Sequence, residues 1–352
     1  MKKKIGILIV NYNGLRWLES CLQSVINTQQ AELEREIYLV DNNSSDTSVQ
    51  LVRDQFPTVK IIQLVENIGF AGGNNAGWRY IREHSSCDYI MLLNEDARLT
   101  DNCLKTLSDY LATHDTCAAV QPKLLLWPDA SRINSLGNVI HYLGFGYTSE
   151  NNSLDNHQLT VSKAINYASG AAVMIRPEVI AHVGGLFADF MFMYQEDLDF
   201  GWRCYLAGWE TMIVPQAVVY HQYEFHRSLQ QYYYFERNRL WVVFQNYRWA
   251  TLLLLLPAIV IMELGQLLFA TINGVLGAKL KSYVWLLHPE HLQQLIAAHK
   301  HVAQIRQRSD REILRLFSGL ILFQPLQSKL LRYCANPFFN VYLYIMRLII
   351  IW

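Results

Sequence analysis

Two acidic clusters and one histidine carry the chemistry that can be sought in this sequence. Asn94-Glu95-Asp96 closes the apolar run Tyr89 to Leu93. Glu196, Asp197 and Asp199 form a second cluster, and His221 ends another apolar run, Ala217 to Tyr220. Carboxylates and an imidazole at strand ends are an inventory for holding a divalent cation against a diphosphate while one carboxylate activates a nucleophile. Each group also has a plainer reading. Glu196 and Asp197 could cap a helix or pair with Arg203, and His221 could be a satisfied core residue. His226, deeper in a polar aromatic segment, is a weaker candidate than His221.

The elements before Asn94 decide whether these groups can meet. Ile5 to Val10 reads as a strand with the polar exit Asn11-Tyr12-Asn13-Gly14, and Leu18, Leu22, Val25 and Ile26 give Leu15 to Thr28 a helical face. Glu36 to Val40 is a second strand; its exit runs from Asp41 to Asp46, where a Ser or Asp can cap a helix ending at Phe56. Val59 to Val65 is a third strand. Asn67 to Gly77 contains four glycines and reads as a loop allowing close backbone approach to a ligand, followed by a helix through Ile81. Taken alone, Asn11 to Gly14 could be only a turn and Asp41 only a cap. Strand and helix alternate at a rhythm that predicts an open α/β, largely parallel sheet, with the loops after its strands on one edge. No Gly-x-Gly-x-x-Gly follows the first strand and no Gly-Lys-Ser/Thr is present, which argues against a redox dinucleotide or a phosphate loop.

The 352 residues can hold two or three domains. Thirty basic and thirty acidic side chains leave no net charge, so nucleic acid is not an expected partner. Six cysteines without paired spacing suit a reducing compartment. The opening MKKK-IGILIV imitates a signal peptide, but six apolar residues are too few and a core strand explains them. Further on, the pattern predicts a helix over Asn102 to Leu111, a strand over Ala118 to Leu125, short irregular strands within Ile133 to Thr148, and a surface loop over Glu150 to Gln158. Leu198, Trp202 and Tyr205 share a helical face, which puts Asp197 near that helix's N-terminus. The helix end favours its ionised form while anionic neighbours oppose it.

From residue 228 onward the chain is aromatic, basic and then apolar. Ala250 to Ile272 is long enough to span a bilayer, yet contains Glu263 and is flanked by positive charge on both sides, which favours a segment that dips in and returns. Leu292, Leu295, Ile296, Val302 and Ile305 are expected on one helical face opposite Arg306, Arg308 and Arg311. A catalytic domain over 1–227 and a membrane-associating region over 228–352 follow; a buried helical subdomain or an oligomer contact is the alternative for the latter.

From Ile5 to about Arg239 this pattern resembles family 2 of the inverting glycosyltransferases, with the GT-A fold, and in particular bacterial rhamnosyltransferase-like members. Val10-Asn11-Tyr12-Asn13 is similar to the family's opening nucleotide loop. Asp41, followed by Asn42, Asn43, Ser44, Ser45 and Asp46, resembles the loop whose first Asp reads a uracil or thymine edge. Asn67-Ile68-Gly69-Phe70, continuing to Asn75, looks like the segment along the nucleotide. Asn94-Glu95-Asp96 stands at the Asp-x-Asp metal motif, Glu196-Asp197 at the pair supplying the base, and His221 at a late metal-binding His.

The resemblance implies Mg²⁺ or Mn²⁺ held by Asp96 and His221 against the diphosphate of a dTDP- or UDP-sugar, with Asp197 as base in a single inverting displacement. Asn94 replaces the usual Asp and adds no charge, leaving Asp96 as the principal carboxylate ligand. Asn at that place is common in rhamnose-transferring members, usually before a Pro where this chain has Glu95. The expected reaction is therefore rhamnose transfer from dTDP-rhamnose to a lipid-linked or cell-surface glycan, Phe70 or Trp202 offering an apolar wall for the deoxy sugar. The alternatives are transfer of a hexose or N-acetylhexosamine from UDP, or non-catalytic binding of a nucleotide sugar. A processive synthase would need several spans, which the sequence does not offer. The implied location is the cytoplasmic face of a membrane, peripheral or re-entrant, with a span at 250–272 and the oligomeric state left open.

Overall fold

The computed structural model describes residues 2–28, 33–156, 159–222, 231–322, 329 and 331–352; His226 lies outside them. The chain divides into two compact units. One comprises Met1–Asn138, Thr148–Cys204 and Trp209–Glu224, the other Val139–Tyr147, Tyr205–Gly208 and Phe225–Trp352.

In chain order the elements are β1 (Lys3–Asn11), α1 (Leu15–Asn27), β2 (Leu33–Asp41), α2 (Ser48–Gln55), β3 (Lys60–Gln63), α3 (Gly69–His84), β4 (Tyr89–Asn94), β5 (Ala97–Leu99), α4 (Cys103–Thr113) and β6 (Cys117–Leu126). Then come β7 (Ile133–Ser135), β8 (Asn138–Ile140), β9 (Gly146–Thr148), β10 (Lys163–Ala164), β11 (Ala172–Ile175), α5 (Pro177–His182), α6 (Glu196–Leu206) and β12 (Glu210–His221). The main sheet has the order β10-β12-β6-β11-β4-β1-β2-β3, with β5 paired to β12 and β7 to β6, while β8 and β9 pair separately.

Strands β3, β2, β1 and β4 are parallel, as the alternating pattern predicts. The remainder of the sheet is mixed, because β11 enters antiparallel between β4 and β6. That insertion has a consequence for the site: the N-terminal end of β11 reaches the edge at which β4 ends, and Asn94 N donates to Ala171 O at 2.9 Å. The apolar run from Ala217 to Tyr220 belongs to the long strand β12, which accommodates Pro215 in a register shift between Val214 and Val218.

The glycine-rich stretch departs from expectation. Helix α3 begins at Gly69, so most of the presumed ligand loop is helix. Its glycines serve packing: a Cβ at Gly73 would stand 2.8 Å from Val10 Cγ1, and one at Gly77 would clash with Leu8 Cδ1 and stand 2.8 Å from Val40 Cγ2. The helix therefore lies directly on the apolar face of β1 and β2, at the cost of poor helix formers. Gly69 alone has a left-handed backbone, φ 77°, against the backbone of Phe192.

The second unit contains α7 (Tyr232–Asn246), α8 (Trp249–Ile272), α9 (Leu276–Leu287), α10 (Pro289–Ile305), α11 (Asp310–Leu316) and α12 (Asn336–Ile349). Glu263, the acid inside the apolar helix α8, does not stand alone. Lys279 Nζ donates to Glu263 at 2.6 Å and to Glu236 at 2.5 Å, Arg239 pairs with both acids, and Tyr283 OH donates to Glu263 at 2.6 Å. Removing one member would strand a charge among apolar groups, so the cluster acts as a unit. The amphipathic tail helix is corrected in one respect. It ends at Ile305 with Leu295 and Val302 buried, and Arg306 and Arg308 lie beyond it. Arg306 pairs with the buried Asp310 at 2.6 Å, and Arg311 belongs to the next helix.

Gly77→Ala should be destabilising, by about 1–3 kcal/mol, because the new methyl enters space held by Leu8 and Val40. Urea unfolding of the variant against an exposed-site Ala control checks this; equal midpoints would mean that α3 does not lie against the sheet.

Candidate active site

In-register pairing brings three polar strand ends together. Asn11 is the register partner of Asp41, and Val10 that of Asn94, so β1, β2 and β4 deliver Asn11, Asp41 and Asn94 to one edge. Asn11 is buried and its Nδ2 donates to Asp41 Oδ1 at 3.2 Å, Ser44 Oγ at 2.9 Å and Ser48 Oγ at 2.9 Å. The amide thus holds the loop after β2 against the end of β1. Asp46 serves two helix starts, accepting from Leu15 N at 3.0 Å and Ser48 N at 3.1 Å. Tyr12 presents an exposed ring beside this edge. Asn43 is exposed with φ 65°, a left-handed conformation that Asn tolerates.

Asn42 is the neighbour that matters structurally, although sequence reasoning gave it no role. Its Nδ2 donates to Gly69 O at 3.0 Å and its Oδ1 accepts from Ile68 N at 2.9 Å, so it ties the β2 exit to the start of α3. Asn67 Oδ1 accepts from Gly69 N at 2.9 Å, finishing that turn. Asn75, expected along the nucleotide, has its amide occupied within the protein. Nδ2 donates to Phe187 O at 2.8 Å and Asp189 Oδ1 at 2.7 Å, and Oδ1 accepts from Phe187 N at 3.1 Å. Its place is that of a clamp on the segment leading to Glu196.

That segment is strained. Phe192, Tyr194 and Gln195 have φ of 61°, 66° and 71°, a conformation bulky residues seldom adopt, and they lead directly into α6. Phe192 O accepts from Ala71 N at 3.0 Å, anchoring the strained loop on α3. The loop delivers Asp197 with its oxygens oriented: Oδ1 accepts from Leu198 N at 2.8 Å and Oδ2 from Gly170 N at 3.2 Å. Gly170 neighbours Ala171, the residue bonded to Asn94, which connects Asp197 to the end of β4. A Cβ at Gly170 would stand 3.0 Å from the Phe70 ring. Phe70 is half-buried near Phe187, whereas Trp202 is enclosed in the core and cannot form a wall for a ligand.

The three acids of α6 divide their roles. Asp199 pairs with Arg203 at 2.8 Å, both buried, and Arg203 also donates to the carbonyls of Val183, Gly185 and Leu186. Arg203 therefore belongs to Asp199, and not to Glu196 or Asp197. Burial, and then the nearby Asp197, push the Glu196 carboxyl well above its usual range. Such an environment favours the protonated form, which donates a hydrogen bond, over the ionised form that a base requires.

The acidic end of β4 meets His221 through β5. His221 is paired with Ala97, and Gln222 N donates to Asp96 O at 3.0 Å, so Asp96 and His221 are neighbours by register. His221 Nε2 lies 3.2 Å from Asp96 Oδ1. Asp96 Oδ1 and Asn94 Oδ1 are buried without a hydrogen-bond partner among the described residues. Burial, and then Asp96, push Glu95 up to about 8, so this edge disfavours further negative charge. Among the described residues no group of three His, Cys, Asp or Glu side chains gathers as a complete cage. The donor set suits a cation that takes most of its remaining ligands from phosphate oxygens and water.

Comparison with known proteins finds a glycosyltransferase domain in this chain. Residues 6–180 match the family model described as Glycosyl transferase family 2, and the chain carries a domain of that family. It is 25% identical over 238 residues to an N-acetylglucosaminyl-diphospho-decaprenol L-rhamnosyltransferase of Mycobacterium tuberculosis, covering 63% of this chain and 76% of that protein. It is 26% identical over 230 residues to the low-salt glycan biosynthesis hexosyltransferase Agl10 of Haloferax volcanii, covering 62% of this chain and 66% of that one. Among solved structures, S. aureus TarS 1-349 in complex with UDP aligns with a TM-score of 0.53 at 16% identity, covering 99% of this chain and 88% of that one. GalNAc-T7 with UDP, GalNAc and Mn²⁺ aligns with a TM-score of 0.56 at 15% identity, over 69% of this chain and about half, 48%, of its own. These structural likenesses establish the fold.

Glu196→Gln should raise stability at pH 8 and leave it unchanged below about pH 4. Between the unfolded and the raised folded value the native state binds more protons than the unfolded chain, so wild-type stability falls as pH rises and the amide escapes that loss. Urea unfolding of both proteins across this range measures it; parallel curves would mean an ionised Glu196.

Proposed function

We propose that this chain is an inverting transferase that moves rhamnose from dTDP-rhamnose onto a lipid-linked glycan acceptor, with Asp197 as the base. The observation that carries the role of Asp197 is the geometry within α6: Glu196 is buried, Asp199 is committed to Arg203, and Asp197 is oriented by backbone N–H groups near the end of β4. Asp197 takes the proton of the acceptor hydroxyl as its oxygen bonds to the sugar anomeric carbon, and the bond to the diphosphate breaks on the opposite face. Asp41, held by Asn11 and the Ser44 N–H, is assigned the pyrimidine edge, with Tyr12 beside the nucleoside. Asn67, Gly69 and Phe70 are assigned to the same nucleotide side. Mg²⁺ or Mn²⁺, when bound, supplies neutralisation of the departing diphosphate, and Asp96 with His221 would hold it while Asn94 adds a neutral oxygen.

The donor choice rests on Asn94 and on the relative named as a rhamnosyltransferase. A UDP-hexose or UDP-N-acetylhexosamine is the second reading, supported by the hexosyltransferase relative and by Glu95. Residues 1–227 are proposed as the catalytic part and 228–352 as the part that holds the enzyme at the cytoplasmic face of a membrane. Helix α8 has a mean hydropathy of 2.3 across its most apolar stretch and exposes Leu253, Leu256, Leu264, Leu268 and Ile272, while its one acid is paired internally. Such a surface suits a lipid boundary better than water.

Asp197→Asn should lower turnover by roughly 10²-fold or more with little change in donor affinity. Rate and calorimetric measurements on the detergent-purified protein test this, and near-normal turnover would remove Asp197 from the base role. In a donor competition with a lipid-linked acceptor, dTDP-rhamnose should be consumed ahead of UDP-hexoses. A preferred UDP-hexose overturns the donor, and no transfer from any donor despite nucleotide binding would make the chain a binding protein. In flotation with anionic vesicles the protein should rise with the lipid; full recovery in the soluble fraction would refute membrane attachment.

A further inference from the structure

We propose that α8 lies in the plane of the membrane on one leaflet, with α12 beside it as a second lipid-contacting helix, and does not cross; this rests on the membrane attachment proposed above. The two sides of α8 differ sharply. Thr251, Leu252, Leu255, Ala258, Ile259 and Met262 are buried, whereas the exposed positions from Leu253 to Ile272 are Leu, Pro, Val, Ile, Gly and Thr, with no charged side chain among them. Helix α12 repeats the division. It buries Phe339, Leu343 and Met346 and exposes Val341, Tyr344, Ile345, Leu348 and Ile349.

The buried side of α8 is tied along its length to elements that do not suit hydrocarbon. Trp352 Nε1 donates to Thr251 Oγ1 at 3.0 Å, Tyr342 OH to the Leu254 carbonyl at 2.6 Å, Lys279 Nζ to Glu263 at 2.6 Å and Tyr232 OH to Gln266 Oε1 at 2.8 Å. Thr251 and Gln266 stand about 22 Å apart along the helix axis, so these ties hold most of α8. Helices α7, α9 and α12, which border it, have 15, 12 and 14 residues, each short of the roughly 20 that a bilayer core requires. Helix α7 also carries the buried Glu236, Arg237, Asn238 and Arg239. A crossing α8 would draw these groups into hydrocarbon or break its ties to them. An in-plane α8 keeps both the ties and the water.

Lipid is the partner that the outward surface fits. A protein interface rims its apolar centre with polar groups, whereas the exposed side of α8 is uncharged from end to end. The charges nearby are basic. Helices α9 and α12 contain no acid, Lys281 is exposed on α9 with its Nζ 4.9 Å from the Tyr233 ring, and Arg332 is exposed shortly before α12. Cations and aromatic rings beside an apolar face match the boundary between headgroups and acyl chains in an anionic leaflet.

The test uses the full chain in a bacterial expression host, with Cys87 and Cys334 replaced by Ser so that the remaining described cysteines are buried. Ala250→Cys and Asn273→Cys put a thiol at an exposed position at either end of α8. With a membrane-impermeant maleimide, neither should react in intact spheroplasts and both should react in inverted membrane vesicles. Reaction of either thiol in spheroplasts means that α8 crosses, and an Asn273→Cys thiol silent in both means that it inserts tip first; each overturns the inference while attachment stands. On anionic vesicles, Leu264→Asp and Leu348→Asp should each weaken partition of the purified protein on the order of 10-fold, and Val65→Asp, at an exposed site of the first unit, should not. Unchanged partition in both of the former places the lipid contact elsewhere and refutes the inference. A wild type that stays off both membranes and vesicles removes the attachment itself; if it then elutes as a dimer that Leu264→Asp splits, the face belongs to a second copy.

Discussion

The site depends on the register of β1 between β2 and β4. Parallel pairing without slippage from Lys3 to Asn11 is what makes Asn11, Asp41 and Asn94 end at a common level. A slip of one residue would turn each of these side chains to the opposite face. The register is held by the core: Ile5, Ile7, Ile9, Ile37, Leu39, Met91 and Leu93 are buried in one cluster, and α3 covers the sheet closely enough to exclude any side chain at Gly77. The apolar pattern thus determines where the polar groups emerge.

The same economy governs the amides. Asn11, Asn42 and Asn75 each satisfy backbone or side-chain partners between distant segments, and each could be taken for a ligand contact from its place in a motif. Their buried amides connect strand exits that have no regular structure of their own. An unsatisfied buried polar group costs about 1–3 kcal/mol, so such junctions hold loops in place as firmly as apolar contacts do. A loop held in this way needs little reorganisation to receive a ligand.

Charge is managed by pairing and by neutralisation. In the second unit, two acids and two bases with a tyrosine form a closed cluster, which lets Glu263 occupy an otherwise apolar helix. On α6 one acid is paired, one is pushed toward its neutral form by burial, and one is left to accept from backbone groups. Proximity in sequence therefore does not mean equivalence: Glu196, Asp197 and Asp199 differ because successive helical positions face different surroundings.

The alternation of apolar runs with polar exits determined the α/β class, the strand ends and the identity of the acidic clusters, because period-two and helical patterns are local properties of the chain. The helix that begins at Gly69 was hidden, since four glycines argue locally for a loop and only contact with Leu8, Val10 and Val40 makes them helical. The antiparallel entry of β11 was equally invisible, as strand direction is not encoded in a four-residue apolar run. So was the pairing of Arg203 with Asp199, which depends on carbonyls 17–20 residues away. Asn134 left no local signal at all. Its contact with His221 spans 87 residues and arises from a bulge on an intervening strand, a relation that exists only once three strands have paired.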